Sequence, residues 1–168
     1  REQLDEIAEI AGILWQRGWA ERNAGNISVN ITDIIGEENK NLPPIATYDL
    51  PKPMNSLVGD FFYVTGTGKQ MRNIAKDPLK YGSIVRFAKN ATSYEIIARE
   101  NVKPTSELAS HFSIMSSFKE KGSKNRLVLH THPTDLIALT HIPELRSADA
   151  INKLLWAMHP ETFIVVPR

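Results

Sequence analysis

Apolar side chains recur at three- and four-residue steps through Leu4, Ile7, Ala8, Ala11, Leu14 and Trp15. That spacing predicts a one-sided helix, with Gly18 as its stop signal. A polar loop, Trp19-Ala-Glu-Arg-Asn-Ala-Gly-Asn26, then leads into Ile27-Ser-Val-Asn-Ile31, where apolar and polar positions alternate as in a half-buried strand. Residues 36–56 hold four of the ten prolines among many polar residues, and predict a long excursion with no regular element.

Phe61-Phe-Tyr-Val-Thr65 is a strand by its continuous apolar run, and the glycine-rich turn Gly66-Thr-Gly-Lys69 follows it. Tyr81 to Phe87 and Tyr94 to Ala98 predict two more strands, paired as a hairpin. Thr105-Ser-Glu107 opens a helix with hydroxyls for a cap and an acid in the first turn, and Leu108, Phe112, Met115 and Phe118 line one side. Leu127-Val-Leu-His130 reads as a short buried strand. Helices are expected from Asp135 to Thr140 and from Asp149 to Met158, and a closing strand from Phe163. Strands and helices mix without strict alternation, which predicts a layered α/β fold whose central, mainly antiparallel sheet is flanked by helices. Residues 1–168 are expected to form one domain. The apolar run Phe163-Ile-Val-Val-Pro-Arg168 begins a strand just where the sequence stops, so the domain is expected to be truncated at its carboxyl end.

Composition narrows the chemistry. With no cysteine, disulfides, thiolate metal sites and cysteine nucleophiles are excluded, so a transition-metal site must use His, Asp and Glu. The 20 basic and 19 acidic residues leave a formal charge of +1, without the basic field that nucleic-acid binding needs. The run Lys119-Glu-Lys-Gly-Ser-Lys-Asn-Arg126 is read as a solvated turn. No apolar stretch approaches a membrane span, and Arg1-Glu-Gln-Leu-Asp-Glu6 is too acidic for a secretory signal.

His130-Thr-His132-Pro133 is the sharpest local signal. Side chains two apart on an extended strand share a face, roughly 7 Å apart at the backbone, so the two imidazoles can chelate one divalent ion. Taken alone, the pair is read equally well as two ordinary histidines. Glu107 has a bland reading too, since an acid at a helix start favours the macrodipole. Beside Thr105 and Ser106, however, it stands where a helix amino terminus can grip an anion. Gly66-Thr-Gly-Lys69 can cradle a phosphate through its amides, or serve as a plain turn, as can Asn23, Gly25 and Asn26. His111 shares a helix face with Glu107, which permits a polar contact. His141 and His159 read as surface or capping residues. Lys69 and Lys103 lack the apolar surroundings that a Schiff-base lysine needs.

Four segments in one order change the weight of these signals: Gly18-Trp-Ala-Glu-Arg-Asn-Ala-Gly-Asn26; Val64-Thr-Gly-Thr-Gly-Lys69 with Arg72-Asn73; Pro104-Thr-Ser-Glu-Leu108 with His111; and His130-Thr-His132 leading into Leu136-Ile-Ala-Leu-Thr140. Together they resemble the class II aldolase/adducin family. The resemblance implies one zinc ion per subunit held by three histidines, two of them His130 and His132, with the third beyond Arg168. It implies Glu107 as catalytic acid/base and Asn23, Gly25, Asn26, Thr67, Gly68, Thr105 and Ser106 as phosphate-binding residues. It further implies a small sugar-phosphate substrate and a cytoplasmic homotetramer with sites at subunit interfaces, with no nucleic-acid or membrane partner. The wording of the first two segments points to the branch that cleaves L-rhamnulose 1-phosphate to dihydroxyacetone phosphate and L-lactaldehyde. Fuculose-phosphate aldolase, pentulose-phosphate 4-epimerase or dehydratase activity, or an adducin-like interaction domain, are the alternatives.

Overall fold

In the computed structural model, which describes residues 2–98, 100–161 and 164, the first apolar stripe folds as helix α1 (Glu2–Gln16) and buries Ile7, Ala11 and Leu14. Gly18, with φ +69°, ends it as predicted, and Trp19 N closes the last turn on Leu14 O at 3.0 Å. Trp15 departs from the expected face and is exposed, with the Arg72 guanidinium over its ring.

The chain continues through β1 (Asn26–Asn30), α2 (Glu37–Lys40), β2 (Ala46–Asp49), a 3-10 turn at Asn55–Leu57 and β3 (Phe61–Thr65). Short helices α3 (Met71–Ile74) and α4 (Pro78–Tyr81) precede β4 (Gly82–Phe87) and β5 (Ser93–Ile96); then come α5 (Leu108–Glu120) and β6 (Leu127–His130). Among the described residues six strands form one sheet in the order β2-β5-β4-β3-β1-β6, and each of their pairings is antiparallel. The expected layered α/β architecture is therefore present, including the β4–β5 hairpin.

β3 explains the two layers. Phe61 and Tyr63 join Ile7, Ala11, Leu14 and Ile27 in one core cluster, while Phe62 and Val64 join Val85, Phe87, Phe112 and Met115 in the other. Helices cover both faces, so all five β3 residues are buried and its sequence is a continuous apolar run instead of an alternating one. Phe112 anchors α5, with ring centroids 4.8 Å from Phe62 and 5.5 Å from Phe87.

Three expectations need correction. The 36–56 segment contains a strand: β2 pairs with β5 along one flank only, and an edge strand between Pro43-Pro44 and Pro51 tolerates prolines that a central strand cannot. Among the described residues β6, expected to be buried, is paired by β1 on one flank only, with Leu127 and Leu129 exposed. β1 is not wet on its polar side: Asn26 and Ser28 are buried.

Residues 2–132 make one compact unit; the second begins at Pro133. Within the second unit, α6 (Thr134–Thr140), a 3-10 turn at Pro143–Leu145 and α7 (Ala148–Met158) follow one another. Ser147 caps α7 by accepting a hydrogen bond from Ala150 N at 3.1 Å. Both helices stand where the sequence pattern put them. The expected closing strand from Phe163 lies outside the described residues. Among the described residues no helix is long and apolar enough to cross a membrane.

Candidate active site

Antiparallel pairing brings the start of β1, the end of β3 and the end of β6 to one edge of the sheet. Asn26 stands opposite His130, and Ser28 stands opposite Val64 on one side and Val128 on the other. The segment before α5 is drawn to the same edge: Gly66 bridges Pro104, Thr105 N donates to Thr65 O at 2.9 Å, and Thr67 N donates to Lys103 O at 2.9 Å. Thr65 Oγ1 accepts from Ile27 N at 3.0 Å and so ties β1 to β3 at the site. Its sequence context gave no signal for that role.

Directly opposed residues in an antiparallel ladder share a face, so His130 projects on the same side as Asn26, toward the start of α5. Its Nδ1 hydrogen-bonds to Glu107 Oε2. Glu107 is the residue just before α5 and makes no side-chain cap, which corrects the expectation of an acid inside the first turn. Its carboxylate faces across to the sheet instead. Thr105 Oγ1 accepts from Glu107 N at 3.3 Å, the hydroxyl role expected at that helix start.

His132 continues on the same side. Its Nε2 lies 3.1 Å from His130 Nε2, with ring centroids 4.8 Å apart. His132 N donates to Trp19 O at 2.8 Å, which fixes the extended path after β6. A proton on His130 Nδ1, donated to the carboxylate, leaves the Nε2 lone pair free. Two nitrogens about 2.0–2.1 Å from a tetrahedral zinc stand roughly 3.3 Å from each other, so the observed separation fits two ligands of one ion. Among the described residues no group of three or more His, Cys, Asp or Glu is placed to hold a metal. Glu107 engages His130 at Nδ1, the ring nitrogen that faces away from His132, and so leaves the Nε2 side of the ring open toward His132.

The carboxylate of Glu107 is held ionised. Burial pushes its pKa up, but hydrogen bonds from the Asn26 amide and His130, and the charges of His130 and His111, outweigh that and set it below the usual glutamate value. The Asn26 amide thus supports the charge on Glu107, while its Oδ1 is buried without a partner. His111, one turn into α5, is buried and shares a 2.8 Å hydrogen bond with Ser28 Oγ. Desolvation lowers its pKa, Glu107 raises it and His130 lowers it, for a net shift downward.

Gly25 stands against the same edge. Its φ is +75°, and a Cβ there would meet His130 O at 2.9 Å, so glycine is required by both conformation and space. Gly68 has φ +68° in the turn after β3, beside the exposed Thr67. The structure therefore gathers His130, His132, Glu107, Asn26, Gly25 and Thr105. Among the described residues no hydrogen bond joins the side chains of Asn23 or Ser106 to that group.

A pair of imidazoles, a carboxylate on one of them and glycine-bearing turns stand together at one end of the sheet of an α/β fold. Residues 5–165 match the family described as class II aldolase and adducin N-terminal domain; the chain belongs to that family. It is 44% identical over 167 residues to a rhamnulose-1-phosphate aldolase of Bacteroides thetaiotaomicron, covering 99% of this chain and 62% of that protein. It is 32% identical to the enzyme of that name from Mannheimia succiniciproducens, covering 92% of this chain and 58% of that one. A crystal structure of a sugar-phosphate aldolase from Thermotoga maritima superposes with a TM-score of 0.81 at 29% identity, covering all of this chain and 68% of the other. The chain thus spans about three fifths of the length of these curated relatives.

Proposed function

We propose that this chain supplies most of the active site of a zinc-dependent aldolase that cleaves L-rhamnulose 1-phosphate to dihydroxyacetone phosphate and L-lactaldehyde. The observation that carries the reading is the 3.1 Å approach of the two Nε2 atoms with Glu107 on the far side of His130. The names of the relatives support the substrate. His130 and His132 would hold the ion, and a third protein ligand comes from outside the described residues. When bound, zinc acts as a Lewis acid that stabilises negative charge developing on the ketose oxygens.

The chain's own residues do the rest. Breaking the bond between C3 and C4 converts the C4 hydroxyl to an aldehyde and leaves its electron pair at C3, so a proton passes in net from O4 to C3. Glu107, ionised and beside the metal-facing ring, is the carboxylate that carries it. Asn23, Gly25, Asn26, Thr67, Gly68, Thr105 and Ser106 line the turns that grip the phosphate and orient the reacting carbons. Backbone amides serve at the glycines and hydroxyls at Thr67, Thr105 and Ser106. One N–H of the Asn26 amide supports Glu107 and the other is the donor it offers the phosphate, so that residue links phosphate binding to the acid/base group. The working enzyme is a cytoplasmic homotetramer with its sites at subunit interfaces.

The test is product analysis. Full-chain protein given a panel of ketose 1-phosphates and pentulose phosphates should release L-lactaldehyde from L-rhamnulose 1-phosphate at the highest kcat/KM, lose turnover on exhaustive chelation and regain it with zinc. Full activity after chelation, or epimerised product without cleavage, overturns the reading.

A further inference from the structure

The face of β1 that meets α5 is polar at three successive positions, Asn26, Ser28 and Asn30, and each has its partner. Asn26 binds Glu107. Ser28 Oγ and His111 Nδ1 lie 2.8 Å apart. Asn30 Nδ2 donates to Asp60 Oδ2 at 3.3 Å, and Lys119 Nζ donates to the same carboxylate at 2.8 Å. Residues two apart on a strand and four apart on a helix each share a face, so Asn26 and Ser28 meet Glu107 and His111 as two rungs of one ladder. The backbone bond from His111 N to Glu107 O, at 3.1 Å, joins the rungs on the helix side.

Burying Ser28 and His111, at 0% and 2% exposure, costs desolvation free energy that an apolar pair would avoid. The neighbouring cluster of Phe62, Val64, Phe112 and Met115 is apolar, so packing alone does not call for polar groups there. What the rung does fix is the rotation and depth of α5's first turn against β1, and with it the point to which Glu107 projects. The alternative of a nucleophilic serine is unsupported, because Ser28 is sealed from solvent.

We propose that Ser28 and His111 are positioning residues for the Glu107 carboxylate, setting its place relative to His130 and the substrate. This rests on the acid/base role of Glu107 proposed above. Ser28→Ala in the full chain, loaded with zinc, should lower kcat roughly ten- to a hundredfold while KM and zinc content stay near wild type and the protein stays folded at the assay temperature. In a Glu107→Ala background the same change should cost nothing more. His111→Asn, whose amide occupies the position of Nδ1, should retain more kcat than His111→Leu.

Unchanged kcat in folded Ser28→Ala, or an equal fold-loss in both backgrounds, overturns the proposal while leaving the function of the site intact. Wild-type cleavage by Glu107→Ala removes the acid/base role and the positioning proposal with it. If Ser28→Ala does not fold, the two His111 variants decide the matter, and equal activity in both refutes positioning.

Discussion

Asn26 on β1 lies directly across the ladder from His130 on β6, and both side chains hydrogen-bond to the carboxylate of Glu107. The register of two strands therefore sets where that carboxylate stands. A slip of one residue would turn His130 to the opposite face of the sheet and separate it from both Asn26 and Glu107. The contacts of this carboxylate and the sheet pairing are one constraint here.

That constraint divides ligand from base. His130→Ala should abolish stoichiometric zinc binding and turnover together. Glu107→Ala should keep most of the zinc and lose roughly 10²- to 10⁴-fold in kcat, the usual contribution of a positioned acid/base group. Metal analysis beside steady-state kinetics separates the two outcomes. Equal loss of zinc in both variants would make Glu107 a ligand.

Gly25 tests the close approach of loop and strand. Gly25→Ala places a Cβ 2.9 Å from His130 O at a φ of +75°, and should destabilise the fold by about 1–3 kcal/mol as read by urea denaturation. Displacement of His130 should also weaken zinc binding. A variant with wild-type stability would show that the loop lies farther from β6.

The aromatic cluster beneath α5 gives a stability prediction. Phe112 is fully buried and touches Phe62, Phe87 and Tyr94, so Phe112→Leu should cost less than Phe112→Ala, for which about 3–5 kcal/mol is expected. Because α5 carries Glu107 at its start, activity should fall with helix docking even in the fraction that remains folded. Chemical denaturation and kcat on the same samples check both.

Stability should depend on acid through His111. Its folded-state pKa lies below the ordinary 6.5 because burial disfavours the imidazolium. As pH falls below 6.5 the unfolded chain takes up the proton first, so stability is full above that value and declines as pH drops toward the folded pKa. Glu107, also shifted downward from 4.5, adds a second decline below 4.5 in the same sense. Urea midpoints of metal-free protein from pH 7.5 to 5 should fall, and the slope should flatten in His111→Asn.

Much of this was legible from local pattern. Residues that repeat with the helical period made α1 and α5 readable, and the β-branched and aromatic run at Phe61 made β3 readable, because these signals lie within one element. His130 and His132 could be placed on one face for the same reason: alternation along an extended chain needs no partner. Gly18 ended its helix with a left-handed φ that glycine adopts without strain.

The tertiary structure decided what lies opposite what. The polar alternation in β1 is identical whether its polar face meets water or a helix, and only the docking of α5 showed that Ser28 meets His111. Likewise β2 hides among prolines until β5 offers it an edge. Glu107 read locally both as an ordinary helix-start acid and as a carboxylate beside an anion-binding helix start. Hydrogen bonds are short-ranged and directional, so its contacts with His130 and Asn26 depended on strand register and helix docking, which no local period encodes.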